Sequence, residues 1–108
     1  GGVAEVTFDA DTDVVCGCVV SCTMIGSATS LMVSDEFGAC TITGALPIGA
    51  AVVIDSESRT VTVNGINKLD WFDRAGEWPM MAPGSNTFTI TPAAATSITW
   101  KPRRLGLL

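Results

Sequence analysis

The chain has 108 residues, of which 47% are hydrophobic and 16% charged, so it is long and apolar enough to form one folded domain over residues 1–108. Its 11 acidic and 6 basic residues give a net charge of −5, which excludes the basic surface typical of nucleic-acid binding. The chain has no histidine and no tyrosine, and this removes serine–histidine and cysteine–histidine catalysis and every histidine-ligated metal site.

Short strands are predicted throughout, because valine, isoleucine and threonine supply 31 residues and no segment has a long apolar period of 3.6 residues. In the first half the predicted strands are Val3–Phe8, Val14–Ile25, Leu31–Val33 and Ala39–Thr43. The segments between them are predicted as turns or loops, at Asp9–Asp13, Gly26–Ser30, Asp35–Gly38 and Gly44–Gly49.

The 21 residues from Val14 to Ser34 carry no charge and are long enough to span a membrane. Hydroxyl side chains and two glycines interrupt this stretch, and no Lys or Arg flanks it, so we predict two buried strands joined by a turn. We expect no membrane contact and no leader peptide.

Four cysteines lie in the first half, and Cys16, Cys18 and Cys22 share one face of a predicted strand; Cys40 lies on another. Neighbours two apart on one strand are poorly placed for a disulfide, so we predict four reduced thiols that pack as small apolar side chains. A thiolate metal site is the alternative, although Cys16-Gly17-Cys18 is one residue shorter than a zinc knuckle requires.

The second half contains a clear hairpin, with predicted strands Ala51–Asp55 and Arg59–Asn64. Asp55 is expected to accept hydrogen bonds from turn amides, and Asn64-Gly65 is a strong signal for a second turn. Two further strands are predicted at Thr87–Thr91 and Thr96–Lys101. Eight short strands with regular turns predict a β-sandwich or jelly roll.

The long irregular segment Ile66–Pro83 is rich in large apolar side chains. These candidates for an interaction surface are Trp71, Phe72, Trp78, Met80 and Met81. Clustered tryptophan and methionine in a surface loop are typical of interfaces. The alternative is that the loop folds over an open end of the sandwich and its aromatic side chains cap the core.

The acidic and glycine-containing segments do not match known metal-binding, catalytic or phosphate-binding motifs. Asp9, Asp11 and Asp13 alternate as in a calcium loop, but Val14 and Val20 stand where an EF-hand needs glycine and glutamate. The acidic pairs in the predicted turns have nothing nearby to raise one pKa, which a glycosidase pair would require. No phosphate-binding glycine loop is present. We therefore expect no catalytic residues, no cofactor and no metal.

Three segments of the second half follow one another in a specific order: GAAVVIDSESRTVTVNG at residues 49–65, PGSNTFTI at 83–90 and KPRR at 101–104. They resemble the central hairpin, the turn into the penultimate strand and the basic end of the last strand in the C-terminal domain of phage distal tail proteins. The order and spacing agree over residues 44–104, whereas residues 3–43 fit only as strands.

The resemblance implies an all-β, antiparallel β-sandwich of the jelly-roll or galectin-like type, as the C-terminal fragment of a longer tail protein. It implies a structural component of a phage or prophage tail, at the distal tail or baseplate hub, whose partners are other tail subunits. In the full-length protein it implies a homo-oligomeric ring, assembled in the bacterial cytoplasm and located in the virion tail. A carbohydrate-binding module or an adhesin domain that uses the loop tryptophans to bind a glycan is the alternative.

The charges are unevenly distributed along the chain. Residues 1–58 contain eight acids and no base, and residues 59–108 contain all six bases. If the halves form different surfaces, Arg103 and Arg104 form a basic edge that meets an acidic turn such as Asp9–Asp13 on a neighbouring subunit. If strands from the two halves interleave, the charges are mixed and this prediction loses its basis.

Overall fold

A computed structural model describes residues 2–73 and 75–104, and these residues form ten β-strands and one short 3₁₀ helix. The first four strands are β1 (Ala4–Ala10), β2 (Cys16–Met24), β3 (Ala28–Asp35) and β4 (Gly38–Leu46). A hairpin and a two-residue strand follow as β5 (Ala51–Asp55), β6 (Thr60–Val63) and β7 (Ile66–Asn67). After the 3₁₀ helix (Leu69–Trp71) come β8 (Met80–Met81), β9 (Gly84–Thr91) and β10 (Ala94–Trp100).

The strands form two antiparallel sheets that pack as a sandwich, which confirms the predicted fold class. One sheet has the order β1-β9-β3-β4, and the other has the order β10-β2-β5-β6-β7 with β8 paired to the start of β2. Late strands lie next to early ones in both sheets, since β9 separates β1 from β3 and β10 pairs with β2. The acidic and basic halves of the sequence are therefore interleaved.

The core comes from the alternation of side chains along the strands. On β2 the residues Cys16, Cys18, Val20, Cys22 and Met24 are each at most 1% exposed, as the pattern predicts. The opposite sheet contributes fully buried residues from β3, β4 and β9, namely Leu31, Ile42, Phe88 and Ile90. Burying a side chain of this size contributes about 1.5–3 kcal/mol, so this central layer dominates stability.

The uncharged stretch is folded as predicted, since β2 and β3 occupy most of it. Within the described residues no helix is long and apolar enough to cross a membrane. The four cysteine thiols are free and buried. Burial raises the pKa of the Cys18 and Cys40 thiols to about 12, and it also raises the pKa of the Cys22 thiol.

The predicted turns have the expected chemistry. The carboxylate of Asp35 accepts from the backbone N–H of Phe37 over 2.9 Å, and that of Asp55 accepts from the N–H of Glu57 over 3.0 Å. Asn64 and Gly65 both have positive φ, at 52° and 81°, which a tight hairpin turn requires. The side chain of Asn86 is likewise hydrogen-bonded to its own turn.

Several boundaries differ from the prediction. The strand β1 continues to Ala10, into the predicted acidic turn, and β9 and β10 begin at Gly84 and Ala94, before the predicted starts at Thr87 and Thr96. The strand β3 begins at Ala28, inside the predicted turn, because Ala28 pairs with Leu46 beyond an irregularity in the β3–β4 register. For the same reason β4 continues to Leu46, into the predicted loop. The segment Ile66–Pro83, predicted as irregular, contains β7, the 3₁₀ helix and β8.

Candidate interaction surface

The segment between β7 and β8 lies along the outer edge of β4. The backbone N–H of Asp73 donates to the carbonyl of Thr41 over 3.0 Å, and the N–H of Glu77 donates to the carbonyl of Ala39 over 2.9 Å. Its aromatic side chains pack against the core, which agrees with the interpretation that they cap it. The segment covers the edge of a sheet, however, and not an open end of the sandwich. Covering an edge strand prevents it from pairing with other chains.

Phe72 and Trp78 form a stacked pair on this segment. Their ring centroids are 4.2 Å apart and their planes differ by 13°. Phe72 is held by a backbone bridge to Ile42 of β4, and both rings are half-buried. The guanidinium carbon of Arg59, which is exposed, lies 5.6 Å from the ring centroid of Trp78. The pair is therefore fixed in place and carries a cation on one side.

Trp71 ends the 3₁₀ helix and lies flat on the backbone of β4. An added Cβ at Gly44 would overlap the ring of Trp71, so only glycine permits this contact. The ammonium of Lys68 lies 4.7 Å from the centroid of the same ring. Trp71 is thus half-buried between a strand and a lysine, and it combines a packing contact with an exposed edge.

The two methionines of the predicted surface have different positions. Met81 is 0% exposed and pairs with Cys16 of β2, so its assignment to an interaction surface is wrong. The alternation of side chains along β8 explains this, because Met80 then lies on the other face and is half-buried. We retain Trp71, Phe72 and Trp78 with Lys68 and Arg59, and name these five residues the aromatic surface.

Arg103 ties the segment after β10 to its own chain. Its guanidinium is 3.1 Å from the Glu57 carboxylate, which also accepts from the N–H of Gly17 over 3.2 Å. The backbone N–H of Arg103 donates to the buried hydroxyl of Thr12 over 2.9 Å, and its carbonyl accepts from Asp13 over 2.9 Å. These contacts hold the segment after β10 against the β1–β2 and β5–β6 turns.

Arg104 meets the acidic turn of its own chain, whereas the charge pattern predicted a contact with that turn on a neighbouring subunit. Its guanidinium lies 3.1 Å from Asp11 and 3.5 Å from Asp13. The hydrogen bond and the positive charge of Arg104 lower the pKa of Asp11, and Asp11 raises the pKa of Arg104. All three side chains are exposed, so the contact is open to solvent.

A groove of about 620 Å³ lies between the start of β2, the β5–β6 turn and the end of β10. The residues that line it include Trp100, the acidic residues Asp55 and Glu57, and the basic residues Lys101 and Arg103. Trp100 is half-buried, and its ring meets that of Phe8 edge-on at 6.1 Å. Over residues 2–73 and 75–104 no group of three His, Cys, Asp or Glu side chains is placed to hold a metal ion.

The sequence model of the siphovirus-type tail component, C-terminal domain, matches residues 11–103. The chain belongs to this family. The match confirms the resemblance seen in the second half and extends it through β2, β3 and most of β4, which the sequence alone identified only as strands. No curated protein and no solved structure matches the chain.

A siphovirus-type tail component is a structural part of a phage tail, and this is the functional class of the chain. The matched residues contain the whole aromatic surface, the groove and Arg103, whereas Arg104 lies just beyond them. Sequence reasoning missed Gly44 and Arg59, because no local pattern shows that β4 and the β5–β6 turn lie beside the tryptophans. It also did not single out Lys68, although Lys68 is close to Trp71 in sequence. It also missed Trp100 as a groove residue, because nothing near Trp100 in the predicted strand Thr96–Lys101 shows that the β5–β6 turn lies beside it.

Proposed function

We propose that this domain is a structural component of the distal tail or baseplate hub and acts through protein–protein contacts with other tail subunits. We further propose that it is the C-terminal part of a longer tail protein, which forms a homo-oligomeric ring in the virion tail after assembly in the bacterial cytoplasm. Family membership over residues 11–103 carries the proposal, since it establishes a tail component.

The aromatic surface is the part of the molecule best suited to such contacts. Half-exposed aromatic rings are enriched at interfaces, and rings already fixed by stacking lose little side-chain freedom on binding. Phe72 and Trp78 are fixed by their mutual stack, and Trp71 by its contact with Gly44. Arg59 and Lys68 add two cations, so the surface favours a neighbour that presents carbonyl or carboxylate oxygens beside an apolar patch.

Complementation of a phage or prophage that lacks the tail gene tests this proposal. The full-length protein carrying Trp78→Ala should accumulate in the cell but reduce the yield of complete tails, counted by electron microscopy. Phe37→Ala is the matched control, because Phe37 is a partly exposed aromatic residue on the β3–β4 turn and outside the stack. Normal tail yield with Trp78→Ala at normal protein level would refute a docking role for the aromatic surface.

Glycan binding is the second candidate function, and the groove beside Trp100 favours it more than the loop tryptophans do. The groove combines a half-buried tryptophan with two acidic and two basic residues, and such residues can supply a stacking ring and hydrogen bonds to sugar hydroxyls. A glycan screen with the wild-type protein and the variants Trp100→Ala and Trp71→Ala would test this function. If a glycan binds the wild type and Trp71→Ala but not Trp100→Ala, the groove is its binding site.

A further inference from the structure

Strand pairing brings five connecting segments together at one end of the sandwich. They are Gly2–Ala4, Ile25–Ala28, Leu46–Ala51, Asn64–Ile66 and Pro92–Ala94, and none of them contains a charged residue. We name them together the uncharged end. The turns at the opposite end contain most of the charges of the chain, at residues 9–13, 35–36, 55–59 and 101–104.

Backbone hydrogen bonds tie these segments to one another. The N–H of Ala93 donates to the carbonyl of Gly2 over 2.8 Å, which joins the start of the chain to the β9–β10 turn. The N–H of Gly49 donates to the carbonyl of Met24 over 2.7 Å, which joins the β4–β5 loop to the end of β2. Gly2, Ile25 and Ala93 also line one cavity, and the N–H of Asn64 donates to the carbonyl of Ala51 over 2.8 Å. The uncharged end is therefore one connected surface.

Large aliphatic side chains are exposed on this surface. Val3, Ile25, Ile48 and Ile66 are 60–69% exposed, more than any other large hydrophobic residue of the described chain. Two shallow cavities, of about 320 and 560 Å³, lie beside them at the β2–β3 turn. Exposed aliphatic groups without charges are unusual for a solvated end of a protein and typical of the centre of an interface.

We infer that the uncharged end docks against the domain that precedes this one in the same tail polypeptide. The inference rests on the proposal that the family's C-terminal domain is here, too, part of a longer chain. The polypeptide enters the sandwich at this end, because Gly2 and Val3 lie within it. A preceding domain is thus already held next to the apolar surface, whereas a charged partner would gain nothing from it.

The size of the surface also favours a tethered partner over a separate one. The sandwich is 25 by 23 Å across its two shorter dimensions, so an end contact covers roughly 500 Å² on each side. About 1,000 Å² in total lies within the range of domain–domain contacts in one chain and below the roughly 1,600 Å² of stable complexes between separate proteins. Tethering raises the effective concentration and compensates for the small area.

Cysteine labelling of the full-length tail polypeptide tests this inference. Ile48→Cys introduces a thiol at the most exposed aliphatic position of the uncharged end, and the four native thiols are at most 1% exposed and unreactive while the protein is folded. Ser58→Cys, on an exposed turn at the opposite end, is the matched control. In the unassembled full-length protein a maleimide should label Ile48→Cys at least roughly tenfold more slowly than Ser58→Cys. Adding Ile25→Asp should restore fast labelling at position 48, because it places a charge in the contact.

Two outcomes would overturn the inference. Equal labelling of the two positions in the unassembled protein and in complete tails would show that nothing covers the uncharged end. Protection of position 48 only in complete tails would show that another tail subunit, and not the preceding domain, covers it. Failure of the proposed tail function is recognised separately, because the labelling of unassembled protein does not depend on whether that protein enters a tail.

Discussion

Individual polar residues anchor the turns at the charged end of the sandwich. Thr12, Ser56 and Asn86 are the polar side chains that the described residues bury, and each is hydrogen-bonded to backbone groups of a nearby turn or segment. The hydroxyl of Ser56 accepts from the N–H of Cys18 over 2.7 Å and donates to the carbonyl of Cys18 over 3.0 Å. The Ser56 side chain therefore provides hydrogen-bond partners for the backbone N–H and carbonyl of Cys18, at the point where the pairing of β2 with β5 ends.

Ser56→Ala should lower the free energy of unfolding by about 1–3 kcal/mol, because it leaves a buried backbone N–H without a partner. Urea unfolding followed by tryptophan fluorescence measures this change. Ser58→Ala is the control on the same turn: Ser58 is exposed, and its removal should change the free energy by less than about 0.5 kcal/mol. Equal effects of the two substitutions would contradict the role of Ser56.

The buried thiols predict how stability depends on pH. Burial raises the pKa of Cys18 and the pKa of Cys40 from 9.0 to about 12. Above pH 9 the unfolded chain therefore loses thiol protons that the folded protein keeps, and the free energy of unfolding should fall as the pH rises from 9 towards 12. Urea unfolding at several pH values should show this decline, and it should be shallower in a Cys18→Ala, Cys40→Ala double variant.

The pH dependence requires free thiols at Cys18 and Cys40, and we predict that all four thiols are reduced. Alkylation in denaturant without reductant, followed by mass measurement, should add four labels. If no label were added because two disulfides block all four cysteines, the packing of the cysteines as small apolar residues would be contradicted.

At the level of elements, the segment that covers β4 depends on a close backbone contact. Gly76 lies against the edge strand, and an added Cβ there would be 2.9 Å from the carbonyl oxygen of Ala39 and 3.2 Å from the Cα of Cys40. These neighbours are backbone atoms of a paired strand, so they move only if the sheet edge moves.

Gly76→Ala should therefore cost about 1–3 kcal/mol of unfolding free energy and expose the β4 edge. Hydrogen exchange of the Glu77 amide, which donates to Ala39, should become faster. Gly26→Ala is the control, since nothing lies within 4 Å of an added Cβ at Gly26, and it should leave stability nearly unchanged. An unchanged Glu77 exchange rate in Gly76→Ala would contradict the edge contact.

The elements also show what the sequence can and cannot predict. Alternation placed the buried face of β2 correctly, because a half-buried strand imposes a period of two on its own residues. The turns followed from Asp55, Asn64 and Gly65, whose preferences are local. Met81 was misplaced because its burial depends on β8 pairing with β2, some 60 residues away in sequence. The aromatic surface was found only in part. Arg59 reaches Trp78 from the β5–β6 turn, a contact that local sequence does not show, and Lys68, close to Trp71 in sequence, was not singled out.

For the molecule as a whole, strand order decides where the charges lie. The acidic first half and the basic second half do not form separate surfaces, because β9 and β10 insert beside early strands. Arg103 and Arg104 pair with acids of their own chain. The polarity that remains runs along the strands, from the uncharged end to a charged end. The two ends therefore differ, with exposed aliphatic side chains at one end and most of the charged residues at the other.

Cryo-electron microscopy of intact tails from the phage or prophage that encodes this chain tests the central claim most directly. We expect copies of this sandwich in a closed ring at the distal end of the tail tube, with the aromatic surface against a neighbouring tail subunit. Absence of the domain from purified particles, or its presence only outside the distal end of the tail, would contradict the assignment to the distal tail.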